Sequence, residues 1–228
     1  MNTLPPIQTQ TKTQNMNTTI NSQSSIACLG EAPTERSRVN RQSLDSEIGL
    51  IQHEGLRTLV QNVLEACPTC FWFMPASTSG KYHPAISLGQ GGLIRHTRAV
   101  VRFALHLLDL EGIPAGHPWH DTVLAACILH DCCKHADGEQ HTAFDHPLRA
   151  AQLIDAEATL LACSDDSLIK PATVRSLCNM VRAHMGRWNT SRHHPGIELP
   201  TPLTPLERLV HTADYLASRE DITLANLC

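Results

Sequence analysis

From Ser46 onward, apolar residues recur three or four positions apart in separate runs, the spacing that lays one stripe along an α-helix. Ile48, Leu50, Ile51, Leu56, Leu59, Val60, Val63 and Leu64 predict a first amphipathic helix that runs up to Ala66 and is ended by Pro68. Gly91-Gly92 permits a sharp turn into a second helix, whose stripe is Leu93, Val100, Phe103, Ala104, Leu107 and Leu108. A connection with Gly112, Pro114, Gly116 and Pro118 leads to a third, expected from about His120 to Cys133. Pro147 and Pro171 stand where proline is favoured, in a first helical turn. They open runs through Leu148, Ala151, Ile154, Ala158 and Leu161, and through Val174, Leu177, Cys178, Val181 and Met185. The last helix opens with Thr204-Pro205-Leu206-Glu207, a capping box with proline at its first position, and buries Leu209, Val210, Ala213 and Ala217. No convincing strand pattern interrupts this series. The expected fold is therefore an all-α bundle with its site enclosed between helices.

Residues 1–44 depart from this pattern: Asn, Thr, Gln and Ser dominate, with too little clustered apolar surface to offset the entropy of ordering. We expect a disordered polar tail there and one domain over residues 45–228. The length of 228 residues and a hydrophobic content of 42% suit that division. A formal charge of −4 argues against a general basic surface for long nucleic acid. No run approaches the ~18 apolar residues of a spanning helix, and the N-terminus lacks signal-peptide features, so a cytoplasmic protein with no membrane partner is expected. Nine cysteines, several inside apolar helical patterns, read as reduced thiols. Cys67-Pro68-Thr69-Cys70 has redox or half-zinc spacing, but no second such pair completes a site.

The chemistry lies in polar residues that interrupt the apolar stripes. His96 and His184 occupy apolar positions on their helices, His130-Asp131 closes the third apolar run, His146 opens a helix, and Asp214 borders the last apolar face. Taken singly, each has a bland reading: a hydrogen-bonded core histidine, a helix cap or an arginine-paired carboxylate. Together, five predicted helices each donate an inward group able to bind a divalent metal, in a chain holding 14 histidines. Ser77, Ser79 and Lys81 form a polar rim that can contact phosphate, or simply a capped surface loop. The upstream glycine and strand of a P-loop are missing. Arg187, Trp188, Arg192, His193 and His194 make a loop able to stack a base and hold phosphate, the alternative being a solvated loop.

The order His96, His130-Asp131, Asp214 resembles the H…HD…D signature of HD-superfamily metal-dependent phosphohydrolases. Gly91-Gly92-Leu93-Ile94-Arg95-His96-Thr97 is similar to the GGLxxHT motif of HD-type 3′-to-5′ exoribonucleases, and His130-Asp131-Cys132-Cys133-Lys134 to the HDxxK element. Pro75 to Pro84 resembles a segment of small bacterial and phage HD proteins. The resemblance implies His96, His130, Asp131 and Asp214 as ligands of a first metal, with His146 and His184 supplying a second. It further implies Asp131 in metal bridging or water activation, and Lys134 with Arg95 or Arg98 in phosphate contact. The GYP extension of the binuclear cyclic-dinucleotide branch is absent, and Cys132-Cys133 replaces the usual small or aliphatic pair. Mixed His and carboxylate ligation suits Mn²⁺, Fe²⁺, Ni²⁺, Zn²⁺ or Mg²⁺. Three functions are expected in turn: hydrolysis of a nucleotide or other small phosphate ester; a phosphodiesterase or exonuclease acting on short RNA, single-stranded DNA or a cyclic nucleotide; and a non-catalytic nucleotide-binding module. The sequence leaves the oligomeric state open.

Overall fold

A computed structural model describes residues 42–77, 80, 83–135, 141–163 and 169–222. Among them the chain is helical: α1 (Asp45–Ile48), α2 (Glu54–Ala66), α3 (Gly92–Leu110), α4 (Pro118–Leu129), α5 (His146–Cys163), α6 (Pro171–Ala183) and α7 (Pro205–Ala217). The only β pairing among the described residues is an isolated bridge between Thr190 and Glu198. This is the all-α bundle expected from the periodicity. No helix among the described residues is long and apolar enough to cross a membrane. The tail expected over residues 1–44 lies outside the described residues up to residue 41, and Leu44 is already fully buried.

The bundle is built around α4. Beyond the exposed Pro118 and Trp119, every residue from His120 to Leu129 is buried, so this stretch has no solvent face, and the helix packs against α1, α2, α3, α6 and α7. A helix that is apolar all round has to be surrounded. Amphipathic helices enclose it, each turning one stripe inward: Leu59, Val60 and Val63 of α2, Val100 and Ala104 of α3, Leu177 and Val181 of α6, and Val210 and Ala213 of α7, while α5, with Ala150 and Ile154 buried, packs on α2 and α6. Anything carried at the end of α4 is delivered into the middle of the protein.

Two boundaries differ from the sequence reading. The expected first helix is two helices, because the chain leaves α1 at Gly49 and re-enters at His53, whose imidazole accepts from the Leu56 N–H at 3.2 Å. The His53 N–H itself donates to Asp121 on α4 at 2.7 Å, a partner distant in sequence that periodicity does not show. The third helix stops at Leu129 rather than near Cys133. Beyond it, tighter turns take over, with the Cys132 N–H donating to Leu129 O at 3.1 Å and the Lys134 N–H to Asp131 O at 3.0 Å. The start of α7 agrees with the sequence reading: Thr204 accepts from the Glu207 N–H, and the Glu207 carboxylate accepts from the Thr204 N–H.

The segment before α3 is strapped to that helix. Gly91 N–H donates to Phe73 O at 2.8 Å, Leu93 N–H to Met74 O at 2.9 Å, and Ala76 N–H to Ser87 O at 3.0 Å. Both glycines are required here. Gly91 lies in the left-handed region at φ 69°, and a Cβ on Gly92 would sit 2.2 Å from the Ser87 carbonyl oxygen.

Candidate metal centre

Three histidines are aimed by one device. His130 follows the last residue of α4, His146 opens α5 and His184 follows α6. In each case Nδ1 donates to the carbonyl three residues earlier: Cys127 at 2.8 Å, Ala143 at 2.7 Å and Val181 at 2.8 Å. A carbonyl can only accept, so the proton of each neutral ring is fixed on Nδ1 and a bare Nε2 lone pair faces inward.

These lone pairs converge on Asp131. Its Oδ1 lies 3.0 Å from His146 Nε2 and 3.6 Å from His184 Nε2, and the two imidazole nitrogens are 3.2 Å apart. Its Oδ2 lies 3.3 Å from His130 Nε2 and 3.8 Å from His96 Nε2. Asp214, from α7, places Oδ1 3.0 Å from His96 Nε2 and 3.7 Å from His130 Nε2. The structure thus brings together all six residues that the sequence singled out as ligands. His96, His130 and Asp131 form one group able to hold a metal ion, and Asp131, His146 and His184 form another, with ligand atoms inside 4.8 Å of one another in each.

A divalent cation suits this arrangement. His146 and His184 turn two lone pairs toward each other and toward a carboxylate oxygen, contacts that repel unless a cation lies among them. His130 Nε2 and Asp131 Oδ1 are buried with no hydrogen-bond partner among the described residues, although each has charged or polar atoms close by. Four imidazoles and two carboxylates form a mixed nitrogen and oxygen donor set that accepts several divalent metals.

The electrostatics follow from burial and neighbours. Burial by itself would raise the Asp131 pKa, but Lys134 and His130 hold this carboxyl well below the usual carboxylate range. Burial likewise opposes ionisation of Asp214, and its hydrogen bond to His96 and the nearby His130 outweigh it, lowering the pKa. Burial lowers the pKa of His96 and His146 despite Asp214 and Asp131 beside them. His130 moves the other way, because Asp131 and Asp214 overcome its burial. Two ionised carboxylates and mostly neutral imidazoles are the protonation states that bind metal.

The remaining sequence candidates are placed as follows. Lys134 Nζ donates to Asp131 Oδ2 at 2.6 Å and so stands at the cluster. Arg95 does not enter it: its guanidinium donates to the carbonyls of Ile86, Leu88 and Gln90 and clamps the segment before α3. Arg98 donates to the Ser43 carbonyl and lies 4.0 Å from Glu47, also away from the cluster. The phosphate contact expected of these two arginines has no geometric support, since Arg95 is turned to three carbonyls and Arg98 to Ser43 and Glu47. Arg187 lies over the Trp188 ring at 4.6 Å; Trp188 stacks on Tyr215 at 5.6 Å, and Arg219 covers Tyr215 at 4.6 Å. This column of rings and cations adjoins the centre through Asp214, the neighbour of Tyr215, and through His211, whose Nδ1 donates to His184 O at 2.7 Å. Ser79 and Lys81 lie outside the described residues. Ser77 accepts from the Gly80 N–H at 3.2 Å.

One residue was not singled out by the sequence reading. His83 packs edge-on against His96, ring centroids 5.3 Å apart. Burial, His96 and Lys134 lower its pKa to about 3. It lies in a loop, where no hydrophobic period exists for a misplaced polar residue to interrupt; adjacency to Pro84 is its only mark in the sequence.

No curated protein and no solved structure matches the chain. The family model described as HD domain matches residues 93–219, more than half of the chain. That span holds His96, the His130-Asp131 pair, His146, His184 and Asp214, and with the geometry above it means that the chain belongs to the HD domain family, whose superfamily is that of metal-dependent phosphohydrolases.

Proposed function

We propose that this protein hydrolyses a nucleotide or another small phosphate ester, in the cytoplasm, at two metal positions that share Asp131. The observation that carries this reading is the Asp131 carboxylate, which offers Oδ2 to His96 and His130 and Oδ1 to His146 and His184. Bound there, Mn²⁺, Fe²⁺, Ni²⁺, Zn²⁺ or Mg²⁺ would activate water and withdraw charge from a phosphoryl oxygen.

The chain's own groups do the rest. Asp131 and Asp214 hold negative charge in a buried cluster, and the backbone carbonyls behind His130, His146 and His184 fix each ring before substrate arrives. Lys134 offers an ammonium with three N–H groups, one of which serves Asp131, so it can also reach a phosphoryl oxygen. Cys127, Cys132, Cys133, Cys163 and Cys178 are free thiols, as the reducing cytoplasm permits. The net charge of −4 favours a small substrate over a long polyanion.

A second reading has its own support. The Arg187–Trp188–Tyr215–Arg219 column, with Trp188 40% exposed, offers aromatic and cationic surface beside the centre, which suits a phosphodiesterase or exonuclease acting on short RNA, single-stranded DNA or a cyclic nucleotide. A non-catalytic nucleotide-binding module is disfavoured because no ligand of the H…HD…D set has been lost. The test is phosphorus release with Mn²⁺, Mg²⁺ or Ni²⁺ against nucleoside mono- and triphosphates, cyclic nucleotides and short labelled RNA and DNA, with Asp131→Ala as control. Activity on a free nucleotide that vanishes in the variant is the expected result. Cleavage of oligonucleotides alone would favour the second reading, and metal binding without turnover the third.

A further inference from the structure

His83 sits against the His96 side of the centre without belonging to either converging ligand group. Its Nδ1 is buried and has no hydrogen-bond partner among the described residues. A ring held for packing alone would be better served by an apolar side chain, since a buried polar atom without a partner is costly. The segment that presents it is tied down at considerable expense. Arg95 commits its guanidinium to three carbonyls there, and three backbone hydrogen bonds join the same segment to α3 and the residues before it.

We propose that His83 is a substrate-contacting residue, donating a ring N–H to a non-bridging oxygen of the phosphoryl group held at His96, His130 and Asp214, and that Arg95 positions it by clamping the segment. This rests on the hydrolase reading above. His83 and Lys134 then approach one anion from two sides: Lys134 as a charge anchored on Asp131, His83 as a directed donor anchored through the Arg95 clamp. The arginine beside the metal-binding histidine acts on substrate only through the loop it holds.

The experiment measures binding of inorganic phosphate to the full chain loaded with Mn²⁺, by calorimetry, together with bound metal and Tm. His83→Ala is expected to weaken phosphate binding about tenfold, the size of one hydrogen bond to a charged group, with metal content and Tm unchanged. His83→Gln keeps an N–H donor and should recover most of that loss. Arg95→Lys, which cannot fork to three carbonyls, should weaken phosphate binding severalfold at unchanged metal content. Unchanged phosphate affinity in both His83 variants would overturn the assignment and leave the hydrolase reading standing. Loss of metal in them would make His83 a ligand and overturn it as well. Failure of the metal-loaded parent protein to bind phosphate would overturn both readings together.

Discussion

The two halves of the centre share Asp131 and backbone-locked histidines but differ in how completely they use that device. His146 and His184 come from a helix start and a helix end, both are buried, and both have Nδ1 locked on a carbonyl. The other half draws on α3, the end of α4 and α7; His96 Nδ1 has no partner among the described residues, and the Asp214 side chain is 20% exposed. His83 adjoins this second half through His96. The difference separates two tasks. The His146/His184 half is finished by its backbone before anything binds, while the His96/Asp214 half keeps an edge toward solvent, where a ligand can be met.

Asp131→Ala should produce the largest effect, because it removes the only group common to both halves. Metal binding should collapse, and any phosphohydrolase activity should fall by roughly a thousandfold or more. Metal content after dialysis, read beside turnover, checks this. Single-half variants sharpen the comparison. Asp214→Asn and His184→Ala should each release one part of the metal, with the retained fraction bound more tightly in Asp214→Asn, since the half left intact there is the preorganised one. Equal losses in the two variants would break the distinction drawn here.

Smaller changes probe the scaffold of the open half. Gly92→Ala forces a Cβ to within 2.2 Å of the Ser87 carbonyl, and should cost about 1–3 kcal/mol by urea denaturation. It should also loosen His83 while leaving His146 and His184 as they are. Thr204→Ala removes the cap of the helix that carries Asp214 and should cost about 1 kcal/mol, seen as a lower denaturation midpoint.

A pH dependence belongs to the same half. His83 has its pKa lowered to about 3 from an ordinary 6.5, so between those values the unfolded chain binds a proton there that the native protein does not. Its contribution to the stability of the metal-free protein is therefore complete above pH 6.5 and is lost as pH falls toward 3. His83→Gln should flatten the denaturation midpoint across that window.

Much of this was legible because helices announce themselves by period. The prolines in the first turns of α5, α6 and α7, the capping box at Thr204 and the paired glycines at the start of α3 carry local chemistry that fixes a boundary without reference to the rest of the fold. The six converging residues were legible for a related reason: a histidine or aspartate in an apolar stripe has to be explained. What escaped was set by hydrogen-bond partners that leave no periodic mark in the sequence. The break at Gly49–His53 depends on Asp121, and the early end of α4 on the His130 ring taking the Cys127 carbonyl. Arg95 beside His96 reads as a substrate contact until its three carbonyl partners, which have no side-chain signature, are seen.

The six converging side chains are scattered from residue 96 to residue 214, and the last of them lies on the last helix described. A chain emerging from the ribosome can assemble the His146/His184 half as soon as α6 has folded back on α4, but must wait for α7 before Asp214 closes the other. A chain truncated before α7 would thus keep both groups of side chains able to hold a metal but lack the Asp214 carboxylate beside His96 and His130.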